Sequence, residues 1–187
     1  TAFEEGDEND YSARTTWGVF VRTDTVTIEE QKVTRPRRCV LLLEAWRARV
    51  GAPELREEAI RAYKTKEYKI DRVLVEKKAS GHGLIQELRR AGVPVTPVKA
   101  EKSKTARAHA ASVVLEQGCV FYPDRVWAQD VINEAADFPY GEFDDYTDTC
   151  VHAWGWLRKT FNLQLEIEED DNDDEESGEL PRRLYGG

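Results

Sequence analysis

The sequence has no methionine and only three cysteines in 187 residues. It opens at Thr1 rather than Met, so it is expected to be a fragment of something longer. Cys39, Cys119 and Cys150 are widely spaced and form no CxxC pair. That excludes a disulfide framework and a cysteine zinc site, and it matches a reducing compartment. No apolar run approaches the roughly 20 residues that a membrane helix needs. A polar, acidic segment follows Thr1 directly, so no signal peptide is expected. There is no GxxxxGK[ST] phosphate loop, so the chain by itself is not expected to hydrolyse ATP. No Ser or Cys has a triad partner in the sequence.

What is present is a globular composition with enough apolar residues for a core, 40% hydrophobic against 34% charged. The net charge of −9 is deceptive, because nine acids lie in one run between Glu166 and Glu176. Without that run the chain is neutral, and its basic residues are available to form patches. We expect two parts: a folded domain over 1–163 and an acidic, solvated tail over 164–187.

Residues 1–13 read as a polar loop. Residues 15–23 and 39–46 read as strands of a hairpin or meander, separated by a polar connection with a short strand at Val26 and Ile28. Pro53 opens a helix. The run 71–76 is a short buried strand ending in Glu76, and Ser80-Gly81-His82-Gly83 reads as a turn before a helix from Leu84. Residues 93–98 form a strand whose two prolines suit an edge. This strand–helix–strand unit implies parallel strands with a right-handed crossover. Helices follow over 102–117 and 126–136, with a brief extended segment at 120–122 between them. A last helix ends near Phe161. The pattern is α/β: meander strands, then strand–helix alternation, then a helical C-terminal half.

The densest chemistry lies at the start of that last helix. Asp144, Asp145 and Asp148 crowd its first turn, with Asp145 and Asp148 three apart and so on one face. One acid suffices for an N-cap. Three repel one another unless a cation sits among them, and hard divalent ions take such oxygen ligands. His152 follows Asp148 by four residues, placed either to share an ion or simply to lie on the helix surface. Glu76 stands where an interior strand exits, and open α/β sheets bind ligands outside such strand ends. Alone it reads equally as a solvated strand end, and Asp10 alone as a loop residue. Lys78, Lys102, Lys104 and Arg107 are candidate phosphate contacts, or else a solvated helix face.

In series these residues resemble a known family. Thr1-Ala2-Phe3, Asn9-Asp10-Tyr11-Ser12-Ala13 and Trp17-Gly18-Val19 resemble the opening of the nuclease domain of tailed-phage terminase large subunits. Val73-Leu74-Val75-Glu76-Lys77-Lys78-Ala79-Ser80-Gly81 resembles its second acidic motif, and Phe138-Pro139 with Asp144-Asp145-Tyr146-Thr147-Asp148 its third. The resemblance implies an RNase H-like mixed β-sheet flanked by helices. It implies an endonuclease that cuts concatemeric double-stranded DNA during packaging, with two Mg²⁺ or Mn²⁺ ions about 4 Å apart. By motif, Glu76, Asp145 and Asp148 would be catalytic and hold metal. Asp145 is favoured over Asp148, and Asp144 and Asp10 are further candidate ligands. The family's first catalytic Asp and the central strand it ends fall just ahead of Thr1. An ATPase domain, a small terminase subunit and a portal are the implied protein partners, and the host cytoplasm is the implied location. Two alternatives stand beside this: a non-catalytic module that docks on DNA or a packaging motor, and another RNase H-like nuclease such as a resolvase or integrase.

Overall fold

A long hairpin sets the frame. In this computed structural model, which describes residues 11–28, 31–77, 79–99 and 103–161, β1 (Ser12–Ile28) and β2 (Gln31–Ala48) pair antiparallel from Ser12 opposite Ala48 to Ile28 opposite Gln31. The expected polar connection between two shorter strands is thus a continuation of both strands. Thr23, Thr25, Val33 and Thr34 are β-branched and keep the ladder going past the apolar half. Arg37 bridges to Asp24 there, 3.6 Å apart. A bulge in β2 leaves Leu43 unpaired between the Thr16–Glu44 and Trp17–Leu42 pairs, so that the strand re-aims its side chains.

The short β5 (Val120–Phe121) adds to β2 in parallel, giving the order β1-β2-β5. Beside it, β3 (Val73–Glu76) and β4 (Val95–Val98) form a parallel pair. They are joined through α2 (Ala79–Arg90), which is the strand–helix–strand unit expected from the sequence. Among the described residues β4 pairs with β3 alone, in keeping with Pro97 on an edge.

Two apolar cores result. Helix α1 (Ala52–Tyr63), with Pro53 in its first turn, and α2 enclose Ile85, Leu88, Val93 and Val95. Helices α3 (Lys104–Glu116), α4 (Val126–Asp137) and α5 (Asp145–Phe161) cover β2 around Val40, Leu42, Val114, Val131 and Trp154. Gly118 ends α3 with φ of 61°, a left-handed conformation that glycine adopts without strain. All three cysteines are free and buried. Asp10, Lys78, Lys102, the side chain of Lys104 and the acidic tail lie outside the described residues. No described helix is long and apolar enough to cross a membrane.

Candidate active site

Helix α5 connects the two sheets. Thr147, Cys150, Val151, Trp154 and Leu157 recur at helical spacing and are buried. The helix packs against β1, β2 and β3. On β1, the Thr15 and Thr149 hydroxyls lie 2.9 Å apart, and Trp17 meets Trp154 edge-to-face with centroids 5.3 Å apart. A second stripe of α5 carries Asp145, Asp148 and His152. On the β3 side, His152 Nε2 comes within 3.4 Å of Glu76 Oε1.

Glu76 owes its place to a close backbone approach. It is the last residue of β3, and the ladder continues with Lys77 N–H donating to Val98 O at 2.8 Å. Helix α2 then begins at Ala79, so Ser80-Gly81-His82-Gly83 is the first part of a helix and not the turn expected from its glycines. The reason for Gly81 is space: a Cβ there would overlap the carbonyl oxygen of Glu76. Glycine lets α2 start directly against the strand end that carries the carboxylate.

Three charged side chains organise the start of α5. The Asp144 carbonyl accepts from Asp148 N–H at 2.9 Å, the first helical bond. Arg107 of α3 donates through Nη2 to Asp144 Oδ2 at 3.1 Å. Its Nε lies 3.1 Å from Asp148 Oδ1, outside hydrogen-bond geometry, so that contact is one of charge. Arg107 is only 16% exposed, and its guanidinium lies 5.5 Å from the centroid of the Phe138 ring.

Arg47, at the end of β2, holds the other flank. It donates to Glu134 Oε2 at 2.7 Å and lies 3.8 Å from Asp145 Oδ2. The rings of Tyr11, Phe143 and Tyr146 surround its guanidinium at 4.7–5.1 Å. Glu134 Oε1 accepts from the Thr147 backbone N–H at 3.0 Å, satisfying a donor of the first turn of α5. Burial pushes the Glu134 carboxyl above the usual carboxylate range, against the pull of the Thr147 and Tyr146 N–H groups and of Arg47.

The site therefore draws Glu76 from β3, Asp144, Asp145, Asp148 and His152 from the region of α5, and Arg107 from α3. Asp148 is one turn from His152 and Asp145 nearly two, about 6 and about 10.5 Å along the axis. Asp148 is thus nearer the Glu76 side and Asp145 nearer Arg47. Arg107, a candidate phosphate contact from its sequence, is turned inward onto the acids. Arg47, Glu134 and Gly81 did not stand out in the sequence. Among the described residues no three His, Cys, Asp or Glu side chains stand ready as a metal cage.

A sequence model of the terminase RNase H-like domain matches residues 25–154. The chain belongs to this family. Its architecture, a three-stranded mixed sheet and a two-stranded parallel one flanked by helices, is the RNase H-like fold of that domain. The terminase domain is also similar to the large terminase nuclease from thermophilic phage G20c, whose crystal structure contains bound zinc. The identity is 16%, with 79% of this chain and 81% of that one covered and a TM-score of 0.49. No curated protein matches the chain.

Proposed function

We propose that this terminase domain is a divalent-metal-dependent endonuclease that cuts double-stranded DNA during packaging. The observation that supports this most is the 3.4 Å contact between Glu76 and His152, with Asp148 one helical turn away. The helix that carries the third acidic motif thus reaches the end of β3, where the second one lies. The donor set fits Mg²⁺ or Mn²⁺, since carboxylate oxygens are the hard ligands these ions take.

In this reading Glu76 and Asp148 hold metal, with Asp145 and Asp144 beside them and Asp10 a further candidate ligand. Ions bound there supply Lewis acidity, activating water and offsetting charge on the phosphodiester. His152 orients the Glu76 carboxylate. Arg47 and Glu134 fix the first turn of α5, so the acids are presented from a rigid helix end. Lys78, Lys102 and Lys104 engage DNA phosphates, which makes binding salt-dependent. The ATPase domain, small terminase subunit and portal would be its protein partners, and the host cytoplasm its place of action.

The test is plasmid cleavage in Mn²⁺ by the full-length protein and by Glu76→Ala. Loss of cutting in the variant with retained folding is expected; equal cutting by both removes Glu76 from the chemistry. A second reading, a non-catalytic module that docks DNA to a packaging motor, draws on the lack of a ready three-ligand cage among the described residues. It predicts no Mn²⁺ binding that depends on Glu76.

A further inference from the structure

Arg107 is spaced as a core residue. It shares a stripe of α3 with Ala111 and Val114, four and seven positions on, both buried in the core beneath α5. A guanidinium in that stripe is driven inward, and the structure shows where it goes. Its Nη2 donates to Asp144 at 3.1 Å, its Nε stands 3.1 Å from Asp148, and the Phe138 ring flanks it. One oxygen of each of two acids proposed for the metal site is thus already matched to a positive charge.

A divalent ion arriving at Asp148 meets that charge. Like charges a few ångströms apart in a partly buried place, where water screens them less than in bulk, oppose each other. The ion and the guanidinium compete for Asp144 Oδ2 and Asp148 Oδ1. Arginine has a long stem, and the same planar fork that meets carboxylates also meets phosphate in a bidentate manner.

We propose that Arg107 is an exchangeable counterion. Its single positive charge partly offsets Asp144 and Asp148 until a divalent ion takes them, and its guanidinium then passes to a phosphate of the bound DNA. This rests on the reading that Glu76 and Asp148 hold the ion. Metal binding and DNA binding are thereby coupled through one side chain, and each must strengthen the other.

The test uses full-length protein, calorimetric titration with Mn²⁺, and binding of a short DNA duplex with and without Ca²⁺ as a non-cleaving ion. Arg107→Gln is expected to bind Mn²⁺ about tenfold more tightly than wild type. Ca²⁺ is expected to raise duplex affinity in wild type by about fivefold more than in Arg107→Gln. If Glu76→Ala abolishes Mn²⁺ binding but Arg107→Gln binds Mn²⁺ no more tightly than wild type, the metal site stands and the counterion role is overturned. If wild type binds no Mn²⁺, both fall. Should Arg107→Gln fail to fold, the Nε–H resonance of Arg107 in wild type decides. Mg²⁺ saturation should speed its exchange with solvent, and an unchanged exchange rate overturns the proposal.

Discussion

His152 Nε2 on α5 stands 3.4 Å from Glu76 Oε1 at the end of β3. The contact crosses between elements of different parentage: β3 belongs to the two-stranded sheet, while α5 packs mainly against the hairpin and the helices around β2. It ties the orientation of the strand-end carboxylate to the helix that carries the aspartates.

Removing that tie should weaken function more than stability. His152→Ala is expected to lower Mn²⁺ affinity and the plasmid-cleavage rate by about 10–100-fold, the usual effect of losing a group that orients a ligand. Mn²⁺ titration of the cleavage rate checks this. A variant that cuts like wild type would show that Glu76 needs no such support.

The glycines of α2 should separate sharply. Gly81→Ala places a methyl against the Glu76 carbonyl, so α2 or the strand end must shift. A loss of about 1–3 kcal/mol in urea denaturation is expected. Gly83 has nothing within 4 Å of a would-be Cβ, and Gly83→Ala should stabilise by about 0.5–1 kcal/mol. Equal effects at the two positions would contradict the close-approach explanation.

Glu134 has two roles, as acceptor for Thr147 N–H and as partner of Arg47. Glu134→Ala leaves both without that partner and should lower stability by about 2–3 kcal/mol, with the loss centred on the start of α5. Hydrogen exchange of the Thr147 amide is the local readout. A faster amide is expected, and an unchanged one would show that the cap is dispensable.

Tyr68 supplies a pH signature away from the site. Its hydroxyl donates to Glu44 Oε2 at 2.6 Å, and burial, then the bond to Glu44, raise the phenol to about 12. The folded state thus holds this proton more tightly than the unfolded chain, whose phenol titrates near 10. The stabilisation is whole below the ordinary phenol range and is lost as pH rises through about 12. Melting temperatures from pH 9 to 12 should therefore fall more steeply for wild type than for Tyr68→Phe. Parallel curves would contradict the bond.

Most element types and their order were legible because their periodicities are strong: the stripe of α5, the strand ending in Glu76, the Pro53 helix start. The hairpin length was not, since its outer half pairs through polar β-branched residues that lack an apolar face. The Ser80–Gly83 segment misled because glycine serves two needs, turning and close packing, and only the fold tells them apart. Two charged residues did carry a readable sign. Arg107 lies in step with Ala111 and Val114, and Glu134 three residues after Val131, so each flanks a buried stripe and must meet a partner inside. Arg47 carried none: its aromatic and acidic surroundings come from distant parts of the chain.

A crystal soaked in Mn²⁺, inspected by anomalous scattering, addresses the shared acidic site most directly. Anomalous density is expected between the Glu76 carboxylate and the acids at the start of α5, with Asp148 in contact. Manganese found elsewhere, with Glu76 still against His152, would contradict a metal site built from these two elements.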